Sequence, residues 1–257
     1  MIDTHCHLDD EKLYPTHKEI IEKFPEFAIE KVIDAGSSYK SSKIALSLAE
    51  EFNEVYATVG IHPEEVRDYS NEVEDFLIKS SLNPKVVAIG EIGLDYHYED
   101  ESCPRETQIE VFNKQIEVAE YCKLPMVIHL RDAYNDMYNI LRDNKGKLKY
   151  GLILHCYSGS EEMLKQFNQF DAFYSFGGAI TFKNYGKYDM LRHVPKDRIM
   201  LETDSPYMTP VPYRGQVNSP LNVGLVCKKL SEVLEMDVEN VEKVTTCNAK
   251  TIYGRLK

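Results

Sequence analysis

Apolar and β-branched residues in this chain gather into short runs, each followed by polar residues and then by a longer stretch with apolar positions at helical spacing. Eight such runs stand in order: MIDTHCH (1–7), KVIDAG (31–36), VYATVGIH (55–62), VVAIGEIG (86–93), PMVIHL (125–130), LILHCYS (152–158), AFYSFGG (172–178) and IMLETD (199–204). Between them the spacing predicts amphipathic helices over 39–53, 63–81, 104–121, 133–144, 160–169 and 184–193. Near-continuous apolar strands alternating with helices predict a parallel sheet covered by helices. Eight such units predict an α/β fold closed into a (β/α)8 TIM barrel rather than an open doubly wound sheet.

The stretch SPYMTPVPYRGQVNSP (205–220) follows the eighth run and is too rich in proline and turn residues for a helix, so it is expected to lie as a loop over one barrel mouth. Ser219 can cap, and Pro220 can open, a helix through about Leu234, and a last helix is expected over 238–250. The 257 residues contain no proline-rich linker, low-complexity tract or solenoid repeat, and a single domain over 1–257 is expected.

Composition narrows the function classes. With 43% hydrophobic and 28% charged residues, the chain is ordinary for a globular protein. No run approaches the roughly 18 consecutive apolar residues of a membrane span. Asp3, His5 and His7 interrupt any secretory signal at once, and a cytoplasmic protein with no membrane association and no obligate protein partner is expected. The six cysteines are scattered without a C-x-x-C pair, which predicts reduced thiols. A net charge of −12 opposes sequence-independent binding along a long duplex, so any nucleic-acid contact must be local.

In such barrels active sites are built at the carboxyl ends of the strands. The runs here close on His5 and His7, Glu91, His129, His155 and Asp204. On a strand, residues two apart share a face, so His5 and His7 are expected to point the same way. Four imidazoles and two carboxylates suit divalent ions such as Zn2+, Mn2+ or Mg2+ without any thiolate, and exceed what one four-coordinate ion uses. Two ions could share them, with His5, His7 and Asp204 on one, His129 and His155 on the other, and Glu91 as the bridge. His17, His97 and His193 are expected at the surface. Cys6 and Cys156 are expected to point outward from the strands toward the helices, as small hydrophobes rather than nucleophiles.

These residues resemble a known family. DTHCHLD (3–9), GIHPEE (60–65), GEIGLDYHY (90–98), QIEVAEYCKLPMVIHLRDA (115–133), HCYSGS (155–160), SFGGAITFKN (175–184), LETDSPYMTPVPYRG (201–215) and NSP (218–220) are similar, nearly end to end, to the TatD-type metal-dependent hydrolases of the amidohydrolase superfamily. The resemblance implies a barrel with a two-metal site, the same six ligands, and a deoxyribonuclease that removes nucleotides from DNA ends.

On that reading Asp204 orients the attacking water and takes its proton, and Glu91 holds the ions together. Arg131 and His62 are candidates for binding the substrate phosphate. Asp95 and Glu202 are expected to orient histidines or mouth loops, and Arg214 to tie down its loop. Tyr96, Tyr157 and Tyr207 are candidates for stacking on bases. The acidic balance favours single-stranded or frayed ends. Two alternatives use the same residues: a hydrolase of an ester, lactone, amide or aminoacyl-tRNA, and a non-catalytic metal-binding protein.

Overall fold

The structure, a computed structural model, describes residues 1–97 and 103–257, so Tyr98 of the 90–98 motif lies outside the described residues. Its eight strands are β1 (Ile2–Cys6), β2 (Lys31–Ala35), β3 (Val55–Val59), β4 (Val86–Asp95), β5 (Met126–Arg131), β6 (Leu152–Leu154), β7 (Phe173–Phe176) and β8 (Ile199–Leu201). They pair in parallel in sequence order, and helices alternate with them, giving a (β/α)8 TIM barrel. The seam between β8 and β1 is closed by Thr4 Oγ1 donating to Leu201 O, and beyond the strand ends by Asp204 N–H donating to His5 O and His7 N–H to Ser205 O.

The helices are α1 (His17–Glu22), α2 (Tyr39–Glu51), α3 (Asn71–Ser80), α4 (Arg105–Cys122), α5 (Tyr134–Asp143), α6 (Glu161–Phe167), α7 (Tyr188–Arg192), α8 (Val223–Leu234) and α9 (Val238–Ile252). The expected helix over 63–81 is divided. A 3-10 turn covers Pro63–Asp68, and Ser70, in an extended conformation, accepts from Val73 N–H and starts α3 afresh. The expected helix over 184–193 is reduced to α7, with Gly186 at φ +66 preceding it. Ser219 accepts from Leu221 N–H in a 3-10 turn opened by Pro220, and α8 follows. Among the described residues no helix is long and apolar enough to cross a membrane.

One buried layer takes a residue from every strand: Ile2, Ile33, Tyr56, Val87, Val127, Ile153, Phe173 and Met200. Ala249, Tyr253 and Leu256, from α9 and the turn beyond it, pack against this layer. It lies toward the amino-terminal ends of the strands and seals that end of the barrel, and only the opposite mouth is left for a polar centre. A second, larger core fills the space between strands and helices, and Cys6 lies in it as expected.

Short even spacings along the chain separate the sealed layer from the mouth residues, although β6 ends at Leu154, β8 ends at Leu201 and Asp204 is left-handed at φ +54. His129 and His155 stand two residues beyond Val127 and Ile153, and Glu91 and Asp204 four beyond Val87 and Met200. The β1–β2 register shifts between Asp3 and Cys6. His5 lies inside β1, and His7 one residue past its end.

Candidate metal centre

Glu91 is the hub. Its Oε1 lies 2.7 Å from His155 Nε2, 2.8 Å from His129 Nδ1 and 3.6 Å from His62 Nε2. Its Oε2 lies 3.4 Å from His5 Nε2 and 3.8 Å from His7 Nε2. Asp204 Oδ1 faces the same two histidines, 3.9 Å from His5 Nε2 and 3.7 Å from His7 Nε2. All six residues expected as ligands are therefore brought together, and His62 joins them. Among the described residues three compact donor groups result: His5, His7 and Asp204; His62, Glu91 and His129; and His5, His155 and Glu202.

The outer hydrogen bonds fix where the imidazole protons sit. His7 Nδ1 donates to Ala35 O at 2.9 Å, and His129 Nε2 donates to Asp95 Oδ2 at 2.9 Å. The inward nitrogens, His7 Nε2 and His129 Nδ1, are therefore the ones left for a metal cation or for the second proton of an imidazolium. His5 Nε2 and His155 Nε2 also face inward, and their rings stack at 4.0 Å. Two nitrogen pairs consequently meet head on, His5 Nε2 and His7 Nε2 at 3.3 Å and His129 Nδ1 and His155 Nε2 at 3.2 Å.

Two lone pairs opposed at that distance would repel, so each pair needs either a proton on one of its nitrogens, as on His7 or His129 in the metal-free protein, or a cation between them. Ligands held about 2.0–2.1 Å from one tetrahedral ion stand roughly 3.4 Å apart, and so the spacing and chemistry of these donors fit divalent cations. Asp95, expected to orient a histidine, does so for His129. Glu202 accepts from Cys156 N–H and Ser175 Oγ, with His155 Nδ1 4.0 Å away.

His62 differs in its proton. Its Nδ1 accepts from Glu64 N–H at 3.2 Å, which leaves the neutral ring an Nε2–H donor aimed at Glu91. Burial and the neighbouring His129 lower its pKa to about 3, keeping it neutral.

The metal-free electrostatics show the same need for positive charge. Burial opposes the His7 imidazolium, yet Asp204, Glu91 and Asp9 raise its pKa to about 10. His129, against the same burial, is raised to about 9 by Asp95 and Glu91. His5, buried beside His155, is lowered to about 4. Burial also disfavours the Glu91 carboxylate, but the surrounding imidazoles hold it well below the ordinary range.

Other expected residues fall in different places. Cys156 is not in the core between strands and helices: a left-handed backbone (φ +45) breaks the strand alternation and leaves it half-buried at the mouth. Burial and the Asp204, Glu202 and Glu91 carboxylates push its thiol well up, which disfavours the thiolate. Tyr157 is 3% exposed and packs on Phe167 and Tyr174, too deep to stack on a base. The Tyr96 hydroxyl bonds Asp136, and the Arg105 guanidinium lies over its ring. Arg131 ends β5, with its carbonyl accepting from Tyr96 N–H. Arg214 stacks on Phe182 at 3.8 Å, which ties its loop down as expected. His97 pairs with Asp132 at the surface, and His17 opens α1.

The sequence model of the family described as TatD related DNase matches residues 2–254. The uncharacterized metal-dependent hydrolase YabD of Bacillus subtilis is 37% identical over 254 residues, 98% of each chain. The uncharacterized metal-dependent hydrolase MJ1582 of Methanocaldococcus jannaschii is 31% identical over 256 residues, 99% of this chain and 97% of that one. Among solved structures, YjjV, a TatD homologue from Escherichia coli K12, superposes with a TM-score of 0.92 at 26% identity, covering 99% of this chain and 98% of its own.

Proposed function

Because the chain belongs to the TatD-related DNase family, whose relatives are metal-dependent hydrolases, we propose that it hydrolyses phosphodiester bonds at single-stranded or frayed DNA ends. Two divalent ions, held by His5, His7, Glu91, His129, His155 and Asp204, complete the site. The observation that carries this reading is the convergence of four inward-facing imidazole nitrogens and two carboxylates on one volume at the open mouth.

Bound there, divalent ions supply Lewis acidity, acidifying a water and neutralising charge on a phosphoryl oxygen. Asp204 accepts the proton of the attacking water. Burial disfavours its charge, but the His7 hydrogen bond and the neighbouring imidazoles hold its pKa below the ordinary value, so it is ionised and ready as an acceptor. Glu91 spans both halves of the centre. His62 donates its Nε2–H, and Arg131 its guanidinium, to phosphate oxygens as charge grows on them. A net charge of −12 opposes sequence-independent binding along a long duplex, which favours reaction at an end that reaches the mouth.

The test is release of nucleotides from end-labelled single-stranded DNA, comparing the wild type with Glu91→Ala and with chelator. Stepwise shortening with Mn2+ or Mg2+, abolished in both controls, is the expected result. A protein that binds two ions and leaves DNA intact would shift the assignment to ester or aminoacyl-tRNA hydrolysis.

A further inference from the structure

Tyr207 stands out at the edge of the centre. Its ring meets the ring of His7 edge to face at a centroid distance of 6.2 Å, and its hydroxyl donates to Asp10 Oδ2 at 2.9 Å. The ammonium of exposed Lys12 lies 5.1 Å from the ring centroid. Although held on three sides, Tyr207 is 48% exposed. A tyrosine so placed normally buries its ring, and an ordered aromatic left open beside a catalytic centre is a contact surface for something else.

The backbone that presents it is pinned. Tyr207 N–H donates to Asp204 O, and Asn218 Nδ2 donates to both Thr203 O and Tyr207 O. Farther along the loop, Thr209 Oγ1 donates to Gln216 O, and Val211 N–H to Thr181 Oγ1. A ligand therefore meets a preformed surface and loses little affinity to ordering it.

From this geometry we infer that Tyr207 and Lys12 form a nucleotide subsite beside the reacting phosphate: the open ring stacks on a base, and the ammonium pairs with that nucleotide's phosphate. This rests on the proposed nuclease reading and deepens it. A flat π-face and an exposed cation together on one side of the centre match the alternating chemistry of a single strand, and stacking accepts any base. Asp10 belongs to the same arrangement, fixing the ring by its hydroxyl and accepting from Lys12 N–H.

The test is binding, measured by fluorescence anisotropy on the metal-loaded protein at low temperature. The probes are a fluorescein-labelled phosphorothioate oligothymidylate and an oligomer of equal length and charge built from abasic residues. Wild type is expected to prefer the base-bearing strand. Y207L loses that preference, by about 5- to 150-fold, while Y207F keeps most of it. K12Q weakens both probes alike and lowers the slope of log affinity against log salt by about 0.7. A Y207L protein that retains the wild-type preference overturns the inference alone. A wild type that neither binds the probes nor cleaves DNA overturns the nuclease reading, and the inference with it.

Discussion

The Nε2 of His129 lies 2.9 Å from Asp95 Oδ2, and this one contact decides which nitrogen of the ring faces the centre. Asp95 is itself positioned by His97 N–H, which donates to its other oxygen, and by Gln108, which bonds its backbone on both sides. Replacing Asp95 with Ala frees the ring to turn and to adopt the other tautomer. Metal affinity, measured by competition with a chromophoric chelator, is expected to fall roughly 10–100-fold, with activity following. An unchanged affinity would show that His129 needs no outer partner.

Glu91 contacts five imidazoles, and no other residue can replace both of its oxygens. In Glu91→Gln the amide keeps the volume and loses the charge. On the proposed two-ion reading, the expected outcome is fewer bound ions per chain than in the wild type, read by elemental analysis, with a larger activity loss than the roughly 10–100-fold that an outer partner costs. Two ions retained at full occupancy would remove Glu91 from the bridging role.

Much of this arrangement was legible in the sequence because strands buried on both faces read as apolar runs, and a residue closing such a run must emerge at one mouth. That logic located His129 and His155 directly. It failed where the backbone leaves strand periodicity, as at Cys156, whose left-handed conformation carries it to the mouth. The His62 proton was illegible for another reason, since it depends on a backbone N–H, that of Glu64, brought close only by the turn that follows. The seal formed by Tyr253 and Leu256 was hidden too, because apolar residues of a final helix could as well have packed outside the barrel. The break at Ser70 did have a signal, a capping serine ahead of acidic residues, within the stretch read as one helix.

Gly93 offers a test of how tightly the barrel backbone holds the centre. Its φ is +144, and a Cβ there would lie 2.1 Å from His129 O. Gly93→Ala must both strain its own backbone, at roughly 1–3 kcal/mol, and push β5 away, at a comparable overpacking cost. Because the carbonyl displaced is that of His129, thermal denaturation and metal titration are expected to fail together. A variant that melts lower yet binds metal normally would show that β5 yields without moving the histidine ring.

The two raised imidazoles make metal binding a proton exchange. At neutral pH His7, with a pKa of about 10, and His129, at about 9, both carry protons in the metal-free protein, and a cation taking their lone pairs must expel them. Calorimetric titration with Mn2+ at pH 7 should therefore give heats that vary with the ionisation enthalpy of the buffer. Apparent affinity should rise as pH approaches 9 to 10. The sign for stability is opposite. Groups raised above the ordinary imidazole value of 6.5 stabilise the metal-free fold fully below that value, and the contribution is lost as pH climbs through 9 and 10. Chelated protein should thus melt progressively lower between pH 7 and 10, while metal-loaded protein, having already given up those protons, should change less. Identical binding heats in every buffer would mean that the centre is unprotonated before the metal arrives, and the charge balance around Glu91 would have to be met in another way.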